Sequence, residues 1–219
     1  MRQTMRWLPL LLFILACKAN TPTETSSIKK VSITKLVHLQ DPSLVNETES
    51  VISIDFTKEG LKLDAVLKEE NLRSSFTNRD TTIWKDPCLE FFFDPGADGK
   101  MYYELQINAH PQIWDLQLIS ARSPINVPQN MLDWDIGADW KVSHLGTMND
   151  ASDIDKSWTI EVLIPWEKLP EGIPQLGDTW AYNVMRVDYD SKGLPSYWVA
   201  KSTGKEMIHY PKSWPTIRF

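Results

Sequence analysis

The chain has 219 residues, of which 42% are hydrophobic, and 23 Lys and Arg stand against 29 Asp and Glu for a formal net charge of -6. Acidic and basic residues are interspersed, so there is no basic stripe of the kind that grips nucleic acid, and no nucleic-acid partner is expected. Two cysteines and four scattered histidines make neither a disulfide framework nor a zinc site.

Residues 1–16 carry Arg2 and Arg6 and then the apolar run from Trp7 to Ala16. The run is too short to span a bilayer and reads as a secretory signal peptide. Its ending, Ile14-Leu15-Ala16-Cys17, resembles the bacterial lipobox, in which a small residue precedes an acylated cysteine. The resemblance implies lipidation of Cys17 and a lipoprotein of the bacterial cell envelope, at the outer membrane, held to the membrane through its lipid anchor only. Cys88 then lacks a partner within the chain and reads as a small buried hydrophobe at the start of a strand. Residues 17–30 follow the signal; they are rich in Thr and Ser without an apolar period. They read as the acylated cysteine and a flexible tether. One folded domain is expected over 31–219, the length suiting one rather than two.

The domain's apolar residues recur with period two, the mark of half-buried strands. Val51 to Phe56 and Leu61 to Leu67 flank a turn at Thr57–Gly60 and predict a hairpin. Leu89 to Phe93 and Met101 to Ile107 predict a second, around Pro95–Gly99. Ile113 to Ile119 predicts a strand with Trp114, Leu116 and Leu118 on one side, and Ser120 to Asp139 a long loop. Further strands are expected at Trp140–Leu145, Trp158–Ile164, Asp178–Val187, Ser196–Val199 and Thr216–Phe219, with a helical turn at Pro165–Leu169. Trp158, Trp180 and Tyr182 are read as core. Many short strands and almost no helical period argue an antiparallel β-sandwich.

The second hairpin carries the chemistry. Side chains alternate between the two faces of a strand. One face of this hairpin is therefore apolar, while the other places carboxylate, amide and phenol groups beside Trp84. An aromatic ring next to hydrogen-bonding groups suits a sugar, whose C–H face stacks on a π surface. Glu90 and Glu104 sit among large hydrophobes, where carboxylates are rarely left unpaired. They are expected either to pair with Arg79 or Arg186, or to offer oxygens to hydroxyls with those guanidinium groups.

The motifs W-K-D-P-C-L-E-F-F-F-D-P, Y-Y-E-L-Q-I-N-A, W-T-I-E-V-L-I-P-W, W-A-Y-N-V-M-R-V and H-Y-P-K-S-W-P-T-I-R-F follow in order from Trp84 to Phe219. This series resembles the family 9 carbohydrate-binding modules and their relatives among bacterial lipoproteins, over roughly Val31 to Phe219. The resemblance implies a β-sandwich that binds an oligosaccharide or polysaccharide between two tryptophans without catalysis. Trp84 matches the first plate, Glu90 a hydroxyl-binding carboxylate and Asn108 an amide, while Gln106 stands where those members carry an arginine. Arg186 lies close to a further polar position. At the second plate the chain departs from the pattern: Ile208 and His209 occupy that neighbourhood, with Trp198 nearby in sequence. Family members hold structural calcium in loops. Asp94-Pro95-Gly96-Ala97-Asp98 offers two carboxylates but reads more simply as a solvated turn, and no cofactor is otherwise expected.

The expected function is a non-catalytic carbohydrate-binding lipoprotein, acting as a monomer. One alternative is a glycan-active enzyme using Glu90 with Glu104 or Asp115 as paired carboxylates. Another is a structural or partner-binding lipoprotein whose sugar site has decayed.

Overall fold

The period-two apolar runs place two antiparallel sheets face to face. The structure, a computed structural model, describes residues 27–46, 50–119, 133–189, 192–204 and 207–219. The smaller sheet contains β1 (Ser27–Ile33), β4 (Val51–Thr57), β5 (Gly60–Lys68), β10 (Ser157–Pro165) and β9 (Asp139–Leu145), side by side in that order. The larger contains β3 (Val45–Asn46), β2 (Leu36–His38), β12 (Pro195–Val199), β11 (Thr179–Tyr189), β6 (Cys88–Pro95), β7 (Met101–Asn108) and β8 (Ile113–Ile119), again in spatial order. The last strand, β13 (Thr216–Arg218), pairs with the start of β11. Among the described residues the only helical pieces are short 3-10 turns, one of them at Trp166–Lys168 where a helical turn is expected.

All the strands expected from alternation are present within a residue or two. Three were not expected. β2 and β3 are too short to show a period, and β1 is Ser-Ile-Lys-Lys-Val-Ser-Ile, exposed along most of its length at the sheet edge. The tether expected over 17–30 therefore ends earlier, since Ser27–Lys30 already belongs to β1. Cys17, the signal segment and most of the expected 120–139 loop lie outside the described residues.

The core fills the space between the sheets. Ile52, Ile54 and Phe56 of β4, with Trp158 and Ile160 of β10, meet Leu89, Phe91 and Phe93 of β6. Trp180 joins them, while Tyr182 is only partly buried against the same cluster. Gly60 opens β5 where it runs hard against β10: an added Cβ would lie 2.3 Å from the Ile164 carbonyl oxygen.

A second apolar cluster lies on the other side of the larger sheet. Cys88, Phe92, Tyr102, Leu116 and Met185 are covered there by Ile208 and Trp214 of the C-terminal segment. Cys88 is buried as expected, though in this outer cluster rather than between the sheets. Burial, reinforced by the neighbouring Glu90, pushes its thiol well above the ordinary range.

Candidate functional site

Strand parity sorts the β6–β7 hairpin into the two faces expected. Leu89, Phe91, Phe93, Tyr103, Leu105 and Ile107 enter the core. Cys88, Glu90, Phe92, Tyr102, Glu104 and Gln106 take the outer face. Register then sets the neighbours. Met185, Glu90, Gln106 and Trp114 lie directly opposite one another across four strands, as do Asn183, Phe92, Glu104 and Leu116 in the next row. Glu90 and Glu104 are therefore diagonal neighbours on one face, with Cα atoms about 7–8 Å apart by sheet geometry.

Gln106 joins the acids to the aromatic turn. Its Nε2 donates to Glu104 Oε1 at 2.6 Å, and its Oε1 accepts the Trp84 backbone N–H at 3.0 Å. Trp84 lies on the 3-10 turn Ile83–Lys85, where Ile83 is fully buried and anchors the turn. The indole projects outward and is 42% exposed, with Lys85 Nζ standing 5.1 Å from its centroid.

The two glutamates are buried, 1% and 3% exposed for Glu90 and Glu104. The Cys88 thiol approaches Glu90 Oε1 at 3.7 Å, a weak bond. Glu104 Oε2 has no hydrogen-bond partner. His209 Nδ1 stands 3.9 Å from that oxygen and only 2.8 Å from the Tyr102 hydroxyl. Burial, with the adjacent Glu104 adding to it, holds Glu90 well above the ordinary carboxylate range. Burial also raises Glu104, while His209 and Gln106 pull it partly back. Two like charges this close and this dry do not both ionise readily. Burial and mutual repulsion both favour the protonated form, in which the pair offers an O–H donor beside several acceptors.

His209 belongs to this site, its ring edge-on to Phe92 with centroids 5.8 Å apart. The other candidates do not. Asn108 shares the face but is fully buried, its amide nitrogen donating to Ser74 Oγ at 2.8 Å and to the Phe76 carbonyl at 2.9 Å; it ties down the 74–76 loop. Arg186 points the opposite way, between the sheets, and bonds the Lys68 carbonyl at 2.8 Å and Glu69 at 3.0 Å, with Asp188 at 3.4 Å. Arg79 reaches Asp115 at 2.6 Å, Asp135 at 3.0 Å and Asp80 at 3.2 Å. Neither arginine pairs with Glu90 or Glu104, so the expected ion pairs are replaced by these. Asp115 is likewise spent on structure, accepting from Arg79 and from the Ile136 N–H, and burial lifts its carboxyl to about 6. Trp198 packs on the core side of β12, edge-on to His38.

Three further residues lie on the outer face: Tyr102, which supplies the expected phenol, and Met185 and Tyr197. Tyr102 was legible, because it lies two residues before Glu104 on the same strand. Met185 and Tyr197 come from strands whose register against β6 no local pattern reveals. Tyr197 is partly buried against the outer cluster, level with Val187 and Cys88.

The Asp94–Asp98 turn supplies little for an ion. Asp94 Oδ2 accepts the Gly99 N–H at 2.8 Å, Asp98 pairs with Lys100 at 2.8 Å, and one buried oxygen, Asp94 Oδ1, is left. Calcium takes six to eight oxygens, so these residues alone do not fit it. Among the described residues no group of three or more His, Cys, Asp or Glu could hold a metal.

The model of the family described as "Carbohydrate-binding family 9" matches residues 25–219. A carbohydrate-binding module of family 9 from Caldicellulosiruptor kristjanssonii in complex with cellotriose superposes with a TM-score of 0.51 at 12% identity, over 79% of this chain and 75% of that one. The complex with glucose gives 0.52 at 12% identity, over 84% and 82%. A Bacteroides uniformis protein provisionally called carbohydrate-binding superposes with a TM-score of 0.63 at 20% identity, over 88% and 86%. At these identities the likeness is one of fold. No curated protein sequence matches the chain.

Proposed function

This chain belongs to carbohydrate-binding family 9, and from that premise we propose that it is a non-catalytic glycan-binding lipoprotein of the bacterial cell envelope. The glycan lies on the outer face of the larger sheet, one ring stacked on Trp84 and its hydroxyls bonded by the Glu90, Glu104 and Gln106 group. A single observation carries this reading. Gln106 bonds both the Trp84 backbone and Glu104, so the turn that carries the exposed ring and one of the two buried acids form one hydrogen-bonded unit. Stacking supplies the apolar part of the affinity, while fixed donors and acceptors choose which hydroxyls fit.

The ligands named for the two Caldicellulosiruptor modules, cellotriose and glucose, make glucose-containing chains the first to try. Acylation of Cys17 would hold the domain at the membrane, with residues 18–26 as spacer.

The experiment is a glycan panel on the soluble fragment that starts after Cys17, with products assayed in parallel. Saturable binding without product formation supports the proposal. Product release from any member would replace it with the glycan-active enzyme. Absence of binding across a broad panel would leave a partner-binding lipoprotein, a reading favoured by the 1% exposure of Glu90.

A further inference from the structure

We propose that the site takes a glycan bearing a free amino sugar, whose ammonium group seats against Glu90 and Glu104. This rests on the sugar-binding reading above and adds to it the class of sugar.

The reasoning is one of unbalanced charge. Two carboxylates share the outer face, and neither meets an arginine or a lysine among the described residues. Arg79 is committed to Asp115, Asp135 and Asp80, and Arg186 to Glu69 and Asp188 on the opposite face of the sheet. Lys85 stands over the Trp84 ring rather than over the acids. The groups that do face the pair are the Cys88 thiol of β6, Tyr102 and Gln106 of β7, Tyr197 of β12 and His209 of the C-terminal segment. His209 is the one basic group among them, and its Nδ1 is already shared with the Tyr102 hydroxyl.

A buried carboxylate oxygen without a partner is costly, and Glu104 Oε2 is one. A neutral hydroxyl could bond it but would leave the charge of the pair uncompensated, so the pair would keep its proton. An ammonium group brings three donors and the missing positive charge, and charge-assisted bonds are the stronger kind. A pair that holds one proton carries one negative charge, which one ammonium neutralises with no further proton transfer. Size points the same way. The acids are almost fully enclosed, so the group that reaches them must be small. An ammonium on a sugar ring is small and an N-acetyl group is not.

The test uses sugars that differ only at C2: the methyl glycosides and β-1,4-linked tetramers of glucosamine, N-acetylglucosamine and glucose, titrated by calorimetry into the soluble fragment. The glucosamine forms should bind at least about tenfold more tightly than the glucose forms. Glu104→Gln should bring the ratio to about one, with a thermal melt confirming that the variant is folded. Equal or tighter binding of the glucose forms overturns the inference but leaves the sugar-binding reading standing. A preference that survives in Glu104→Gln overturns it too, because the acidic surface as a whole would then be the cause. If none of the sugars binds, the inference falls together with the reading on which it rests.

Discussion

Replacing Glu104 by Gln should make the protein more stable at neutral pH and flatten the dependence of stability on pH. In the unfolded chain both glutamates titrate near 4.5, whereas burial raises both in the folded protein, Glu90 well above that value. Between the two ranges the folded state holds more protons than the unfolded state, so stability falls as pH rises. One extra bound proton corresponds to a slope of about -1.4 kcal/mol per pH unit, so the pair erodes stability as pH rises above the unfolded value. The amide keeps the shape and can still bond Gln106, while Glu90 loses the like charge beside it. Other raised groups, Asp115 and Glu69 among them, tilt stability in the same direction, so the informative quantity is the difference between wild type and variant. Urea denaturation of both at pH 5, 6 and 7 measures it. The variant should gain about 1–3 kcal/mol on the wild type between pH 5 and 7. Parallel curves for the two proteins would show that the pair holds no extra proton and would refute the reasoning.

Three further outcomes are expected. Trp158→Ala empties a fully enclosed core position and should cost about 3–5 kcal/mol, read as an earlier urea midpoint and a lower melting temperature. Asp115→Ala removes the buried one of the three carboxylates around Arg79 and leaves the Ile136 N–H without its acceptor. Leaving that buried N–H unsatisfied should cost about 1–3 kcal/mol, measured the same way, and leave the titration of Glu90 and Glu104 unchanged. Cys17→Ser should move the protein from the membrane fraction to the soluble envelope fraction; a wild type found soluble with a different first residue would end the lipoprotein proposal.

The strands were legible because their core residues alternate without interruption, as in Ile52-Ser53-Ile54-Asp55-Phe56. β1 was not, because an edge strand carrying Ser and Lys on both faces has no pattern to show. Parity alone placed Glu90, Glu104 and Gln106 on one face beside Trp84. The same rule applied to β11 would have turned Arg186 inward, because Trp180, Tyr182 and Val184 share its parity and face the core. Asn108 had the right parity but sits at the strand end, where the 74–76 loop claims its amide. The destination of Arg79 depends on Asp115 and Asp135, far along the chain, and pairings of that kind leave no local trace. His209 was placed by resemblance alone. Its seat between Tyr102 and Phe92 follows from the path of the C-terminal segment across the outer face.

The measurement that bears most directly on the central claim is titration calorimetry of Trp84→Ala against the wild type with the tightest glycan from the panel, alongside thermal melts. The ring projects from the fold, while the backbone N–H that holds Gln106 survives the substitution. Binding should weaken by about 1–3 kcal/mol, the value of an aromatic plate under a planar ring. Stability should change by no more than about 0.5 kcal/mol, as for an exposed surface position. Unchanged affinity would contradict the account, because Trp84 would then be a lid on the end of the sandwich and the outer face beside Glu90 and Glu104 would not be where the glycan lies.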